Sequence, residues 1–203
     1  MSNPLKILVL ASGVGSNFQA IIDAIHSGSL SVEILALISN RKNAYALQRA
    51  AQAGIPHYHL SLKPYLEDGR GRALYDQDLA QFISQFPVDL ILLAGWMHIL
   101  DEKFIQALQC PIINLHPALP GAFPGTQAIQ RAFEAYQKGT IPHSGCMIHH
   151  VIPEIDAGTV IKQRIVPIHP DDTLATFEQR MHLTEHELIV EALQSLHPKD
   201  NLT

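Results

Sequence analysis

The stretch Ile7-Leu8-Val9-Leu10-Ala11-Ser12-Gly13-Val14-Gly15-Ser16-Asn17 decides the fold. Its first five residues are apolar without alternation, the pattern of a strand buried on both faces, as a helix-covered parallel sheet requires. A glycine-rich turn follows, and the spacing predicts a helix from about Ser16 to His26. Working outward, Val32 to Ile38, Leu90 to Ala94 and Ile112 to Leu115 repeat the short continuous apolar run, with a briefer one at His57 to Leu60. Helical spacing fills Asn43 to Ala53 and Gly71 to Gln85. Such alternation reads as an α/β protein with a mostly parallel sheet and helices on both faces.

The pattern changes after Gly145. Cys146 to Val151 and Val160 to Ile168 read as extended strands joined by the loop Glu154-Ile155-Asp156-Ala157-Gly158, an antiparallel addition to the sheet. Asp171-Asp172-Thr173 then starts a long terminal helix, with acidic residues placed for its dipole. Leu174, Phe177, Met181, Leu188, Ile189 and Ala192 form its expected core face, and the polar tail from His197 is expected to fray.

With 203 residues, 47% of them apolar, the chain can bury a sizeable core as one domain, 1–203, and no linker or repeat divides it. A net charge of −5 without a basic block argues against a nucleic-acid partner, but leaves room for one bound phosphate in a local cradle. Cys110 and Cys146 are far apart and read as thiols in a reducing compartment. The run 7–11 is too short for a signal-peptide core, and 90–97 is too short to span a membrane. A cytoplasmic protein, monomer or homodimer, is expected, with small-molecule partners and neither nucleic acid nor membrane.

Chemistry concentrates in two places. Asn114 and His116 close an apolar strand and share one face of it, because successive strand side chains alternate. Ligands of open α/β sheets sit at such strand ends. Asn114 is a hydrogen-bond donor and His116 a proton carrier, while Asp156 in the later acidic loop suits holding the imidazole and favouring its charged form. That trio fits addition to a carbonyl carbon. Asn-x-His-Pro also reads as a plain turn. The second place is the loop 12–17, whose glycines admit a ligand and whose helix N-terminus suits an anion, with Gly15, Ser16 and Asn17 as the cradle. A purely structural glycine turn is the competing reading.

Other motifs have weaker claims. The loop 12–17 lacks the Gly-Lys-Ser/Thr of a Walker loop, and Phe18 replaces the third glycine of a dinucleotide fingerprint. Arg41, after the second strand, keeps an NADP reductase open as a rival. His182-Leu183-Thr184-Glu185-His186 matches an inverted zinc motif, but too little chain remains for a further ligand, so no metal is expected. Glu185 reads instead as an acidic group facing a substrate amine or hydroxyl, or as a solvated charge. His149 and His150 point to opposite faces and read as packed or hydrogen-bonded strand residues. Arg70 and Arg72 suit a substrate anion or solvent, and Gly95 to Leu100 suits an apolar slot for a flat ring or ordinary core.

Together these residues resemble the folate-dependent formyltransferases, over nearly the whole chain from Ile7 to about Leu193. The matching pieces are S-G-x-G-S-N at 12–17, A-G-W-M-x-I-L at 94–100, N-L-H-P-A-L-P at 114–120, F-P-G at 123–125, S-G-C-x-x-H at 144–149, E-I-D-A-G at 154–158 and E-H at 185–186. The loop 12–17 points to the branch that uses glycinamide ribonucleotide (GAR). The resemblance implies a Rossmann-like sheet, with 1–100 as the GAR half and 101–203 as the catalytic and folate half. It implies 10-formyltetrahydrofolate as co-substrate and no metal. Asn114, His116 and Asp156 would be catalytic, with Asp156 raising the His116 pKa. Gly15, Ser16, Asn17 and Glu185 would hold GAR. Arg72, Met97, His98, Ile99 and Leu100, with Asn114 and the backbone from Val151 to Asp156, would form the folate side. His98 stands where relatives often carry Arg, and Ile129 where a histidine is common.

The nearest alternative is a 10-formyltetrahydrofolate hydrolase, which shares the trio but sends water to the formyl carbon, usually behind an extra N-terminal domain. A methionyl-tRNA formyltransferase would need an RNA-binding domain and a more basic surface. A phosphate-ligand sensor would have no use for the trio.

Overall fold

The computed structural model describes residues 3–196; the tail from His197 lies outside them. In chain order the elements are β1 (Leu5–Leu10), α1 (Ser16–His26), β2 (Val32–Ser39), α2 (Tyr45–Gln52), β3 (His57–His59), α3 (Lys63–Glu67) and α4 (Gly71–Ile83). Then come β4 (Leu90–Leu93), α5 (Glu102–Ala107), β5 (Ile112–His116), α6 (Ala128–Gln137), β6 (His143–His150), β7 (Val160–Pro167) and α7 (Leu174–Leu196).

The strands form one seven-stranded sheet ordered β3-β2-β1-β4-β5-β6-β7. β3 through β5 run parallel, and β6 and β7 pair antiparallel at the far side. The uninterrupted apolar runs have their cause here: Ile7 to Leu10 are wholly buried because β1 is central and both of its faces are covered. Ile7 and Val9 pack with Phe18, Ile21, Phe177 and Ile189 on one face. Leu8 and Leu10 pack with Tyr75, Leu79, Ile83 and Phe104 on the other. Strand order reverses between β1 and β4, so the loops leaving β1 and β4 diverge and open a crevice beyond their carboxyl ends.

Three differences from the sequence expectations have local causes. β6 starts at His143 rather than Cys146, because its ladder with β7 continues out to Pro167. The short helix α5 is set by Asp101, whose carboxylate accepts the Phe104 N–H at 2.7 Å as an N-cap. α7 begins just after the acidic pair, and Asp172 is taken up by Arg180 at 2.7 Å as well as facing the helix start. The buried face of α7 contains Phe177, Met181, Leu188, Ile189 and Ala192, with Leu193 added and Leu174 only partly buried. Glu185, only 4% exposed, sits in the same stripe, an expensive place for a carboxylate without a task.

Candidate active site

One cleft of about 610 Å³ opens at the strand ends. Its wall brings together the loop 13–17 after β1, residues 93–100 after β4, Asn114 to Pro117 at the end of β5, the turn 125–129, the loop 151–156, and His182 and Glu185 from α7. The volume lies within the usual range for small-molecule sites.

Asn114 and His116 reach Asp156 from the same face of β5. The Asn114 amide donates to Asp156 Oδ1 at 3.1 Å, and His116 Nδ1 lies 3.3 Å from Asp156 Oδ2. The carboxylate also accepts the Gly125 N–H at 2.8 Å. Asp156 itself has a φ of +52°, uncommon for a residue with a side chain. The loop carrying it closes tightly on β6: a Cβ at Gly158 would lie 1.7 Å from the His150 carbonyl oxygen, so only glycine fits.

His149 belongs to this cluster, beyond the strand-packing role read from sequence. It stands directly opposite Asn114 in the β5–β6 ladder. Its Nδ1 lies 2.9 Å from the His150 carbonyl, which can only accept. That fixes Nδ1–H and leaves Nε2, 3.2 Å from the Asn114 amide nitrogen, as an acceptor in the neutral ring. Both amide hydrogens of Asn114 are therefore oriented, one to His149 and one to Asp156.

Burial pushes Asp156 up, but the polar contact with His149, the Gly125 N–H and the charge of the nearby imidazoles outweigh it and hold the carboxyl below its ordinary value. For His116 the balance goes the other way. Burial pushes it below 6.5, although Asp156 and the Phe123 carbonyl pull it up. The expected elevation by Asp156 is thus present but overridden, because His116 is only 4% exposed.

In the loop after β1, Gly15 has a φ of +72° and a Cβ there would come within 2.7 Å of Ala46 Cβ. α1 starts directly after it with no side-chain cap, so its first N–H groups remain available to an anion. Asn17 Oδ1 is buried with no hydrogen-bond partner among the described residues. Arg49, unremarked in sequence, donates to the Val14 carbonyl at 2.9 Å and steadies the loop. Ser12 Oγ accepts the Met97 N–H at 2.9 Å, tying the β1 loop to the β4 loop.

Met97 and Ile99 are exposed at the cleft, Leu100 is buried behind them, and Ile152 and Ile155 face it from the later loop. His98 lines the same wall with its ring edge-on to Trp96 and Tyr75. Burial, Arg72 and Arg41 push His98 below its ordinary pKa. Arg72 stands outside the wall of the cleft. It sits in the first turn of α4, bonded to Asp76 at 2.7 Å and to the Ile99 carbonyl at 2.5 Å, and so supports the 97–100 loop from behind. Glu185 Oε2 meets His182 Nδ1 at 2.7 Å at the cleft edge, and the carboxylate raises the His182 pKa. Ile129 forms apolar wall.

Residues 5–193 match the family model described as formyl transferase. A phosphoribosylglycinamide formyltransferase of Dictyostelium discoideum is 47% identical, with 96% of this chain and 98% of that protein aligned. One from Schizosaccharomyces pombe is 46% identical over 94% of this chain and 96% of its own length. Among solved structures, the phosphoribosylglycinamide formyltransferase of Coxiella burnetii superposes with a TM-score of 0.86 at 38% identity, covering 96% of this chain and 87% of that one.

Proposed function

Since the chain belongs to the formyl transferase family, we propose that it transfers the formyl group of 10-formyltetrahydrofolate to the amine of GAR, giving formyl-GAR and tetrahydrofolate in purine biosynthesis. The observation that carries this reading is one cleft whose wall brings together an anion-ready helix start, the trio Asn114, His116 and Asp156, and apolar loops. The two acyl partners then meet over the trio. Gly15, Ser16 and Asn17 receive the GAR phosphate, and the buried carboxylate of Glu185 accepts hydrogen bonds from its sugar or glycinamide side. Met97, Ile99 and Leu100 with the 151–156 loop enclose the folate ring, and His98 lies beside it.

The uncharged GAR amine attacks the formyl carbon, forming a C–N bond and moving the carbonyl electrons onto oxygen. Asn114 stabilises that oxyanion by turning an amide hydrogen toward it; its long contacts of 3.1 and 3.2 Å are readily exchanged. His116 joins as imidazolium. Burial disfavours this charge in the free protein, but the developing oxyanion and Asp156 favour it in the transition state, so the interaction strengthens where it accelerates the reaction. The new nitrogen bond makes that nitrogen acidic, and Asp156, held as carboxylate, takes its proton. The oxyanion electrons then reform the carbonyl, the bond to the folate nitrogen breaks with its electron pair on that nitrogen, and the proton held by Asp156 is returned to it. The chain needs no covalent intermediate.

Cytoplasmic residence belongs to the same proposal, supported by the free thiols of Cys110 and Cys146. The hydrolase alternative is not favoured, because the relatives are named transferases and the anion cradle opens into the same cleft. Absorbance of 10-formyltetrahydrofolate followed with and without GAR tests the reading. Loss of formyl only with GAR supports transfer. Equal loss without GAR makes the protein a hydrolase, and no loss in either case refutes both.

A further inference from the structure

The turn Phe123-Pro124-Gly125 touches both ionisable members of the trio through its backbone. The Phe123 carbonyl lies 3.1 Å from His116 Nε2, and the Gly125 N–H donates to Asp156 Oδ2 at 2.8 Å. A carbonyl only accepts, so the first contact fixes a proton on Nε2 and turns Nδ1 toward Asp156. The turn is not relaxed: Phe123 has a φ of +48°, which is costly for an aromatic residue and persists only when its surroundings enforce it. The enforcing group is on α6. Arg131 Nη2 donates to the Phe123 carbonyl at 2.7 Å and to the Pro124 carbonyl at 2.6 Å. Its guanidinium also lies 5.9 Å from the centre of the Phe123 ring.

We propose that Arg131 is a positioning residue for the reaction: it pins the Phe123–Gly125 turn, and through that turn sets the distance and orientation of His116 against Asp156. Arg131 does not line the cleft, so its effect passes through the turn rather than through contact with a substrate. A planar guanidinium reaches two successive carbonyls from one nitrogen while remaining charged, which a neutral side chain cannot reproduce. The charged and titratable groups facing His116 are Asp156, His149 and Arg131. The cation therefore also opposes the imidazolium, so that His116 gains its charge mainly when the oxyanion forms.

The role rests on the formyl-transfer reading, and the test separates the two. Arg131→Ala is expected to lower kcat about 10- to 100-fold, the scale of a remote change that misplaces a reacting group. KM for GAR should stay near wild type, because neither Arg131 nor the turn it pins bonds to residues 15–17 of the phosphate cradle. In an Asp156→Asn background the same change should cost less than about 3-fold, since residues acting as one unit are not additive. Amide hydrogen exchange at Gly125, which needs no turnover, should quicken in Arg131→Ala. Should alanine prevent folding, Arg131→Met serves the same cycle, because it keeps an unbranched stem and donates to neither carbonyl. Unchanged kcat, a KM for GAR that rises in step with the loss, full additivity with Asp156→Asn, or unchanged Gly125 exchange would each overturn the proposal. A wild-type protein inactive on GAR overturns the formyl-transfer reading and leaves the exchange test standing.

Discussion

Gly158→Ala probes the site through its backbone, without touching any group that reacts. A Cβ at 158 would lie 1.7 Å from the His150 carbonyl oxygen, whereas ordinary contact begins at 3.4 Å. The loop must therefore retreat by about 1.7 Å, since β6 is held in ladders on both sides and cannot yield as easily. Asp156 lies two residues upstream and depends on a 2.8 Å bond from Gly125 and a 3.1 Å bond from Asn114. Neither survives a shift of that size. Misplacement on the ångström scale costs on the order of 100-fold in rate, and overpacking costs about 1–3 kcal/mol in stability. Steady-state formyl transfer with GAR and folate varied separately, together with urea unfolding, measures both. Gly28→Ala is the control: its φ of +75° strains an alanine, but nothing lies within 4 Å, so stability alone should fall. A folded Gly158→Ala protein with kcat within about 3-fold of wild type would refute the reasoning that this glycine places Asp156.

Further expectations concern the phosphate loop and the titrating groups of the cleft. Ser16 and Asn17 replaced by alanine should raise KM for GAR with little change in kcat; an unchanged KM would remove the phosphate cradle. Glu185→Gln should lower the titration midpoint of His182 seen by NMR, because the carboxylate is what raises it. The stability this pair contributes is fully present below pH 6.5 and is lost as pH rises through the folded His182 value. His116 has the opposite sign: its folded pKa is depressed, so its contribution is present above 6.5 and is lost as pH falls through that window. NMR titration should place His116 below 6.5, and Asp156→Asn should move it lower still; an upward move would contradict the charge assignment.

The parallel core was legible because its strands are buried on both faces and so lose all polar alternation. α5 was not legible, because its six residues carry no apolar period to detect. Asn114, His116 and Asp156 could be grouped from residue chemistry, and the cleft unites them. His149 could not be assigned in the same way, since its role depends on the antiparallel register that sets it against Asn114. Arg131 was hidden for a related reason: it acts on main-chain carbonyls of a turn whose shape only the folded chain defines. For His116 the sequence exposes the attraction of Asp156 but not the burial that outweighs it. Arg72 reads from sequence as facing a substrate anion or solvent, because charge near a helix start is visible; the nearby Asp76 that holds it emerges only in the folded chain.

The most direct measurement is a single turnover with saturating 10-formyltetrahydrofolate and GAR, comparing wild type with His116→Ala and Asp156→Asn. The expected result is a transfer rate slower by roughly 100-fold or more in each variant, with GAR affinity nearly unchanged. Transfer at close to the wild-type rate in either folded variant would contradict the account.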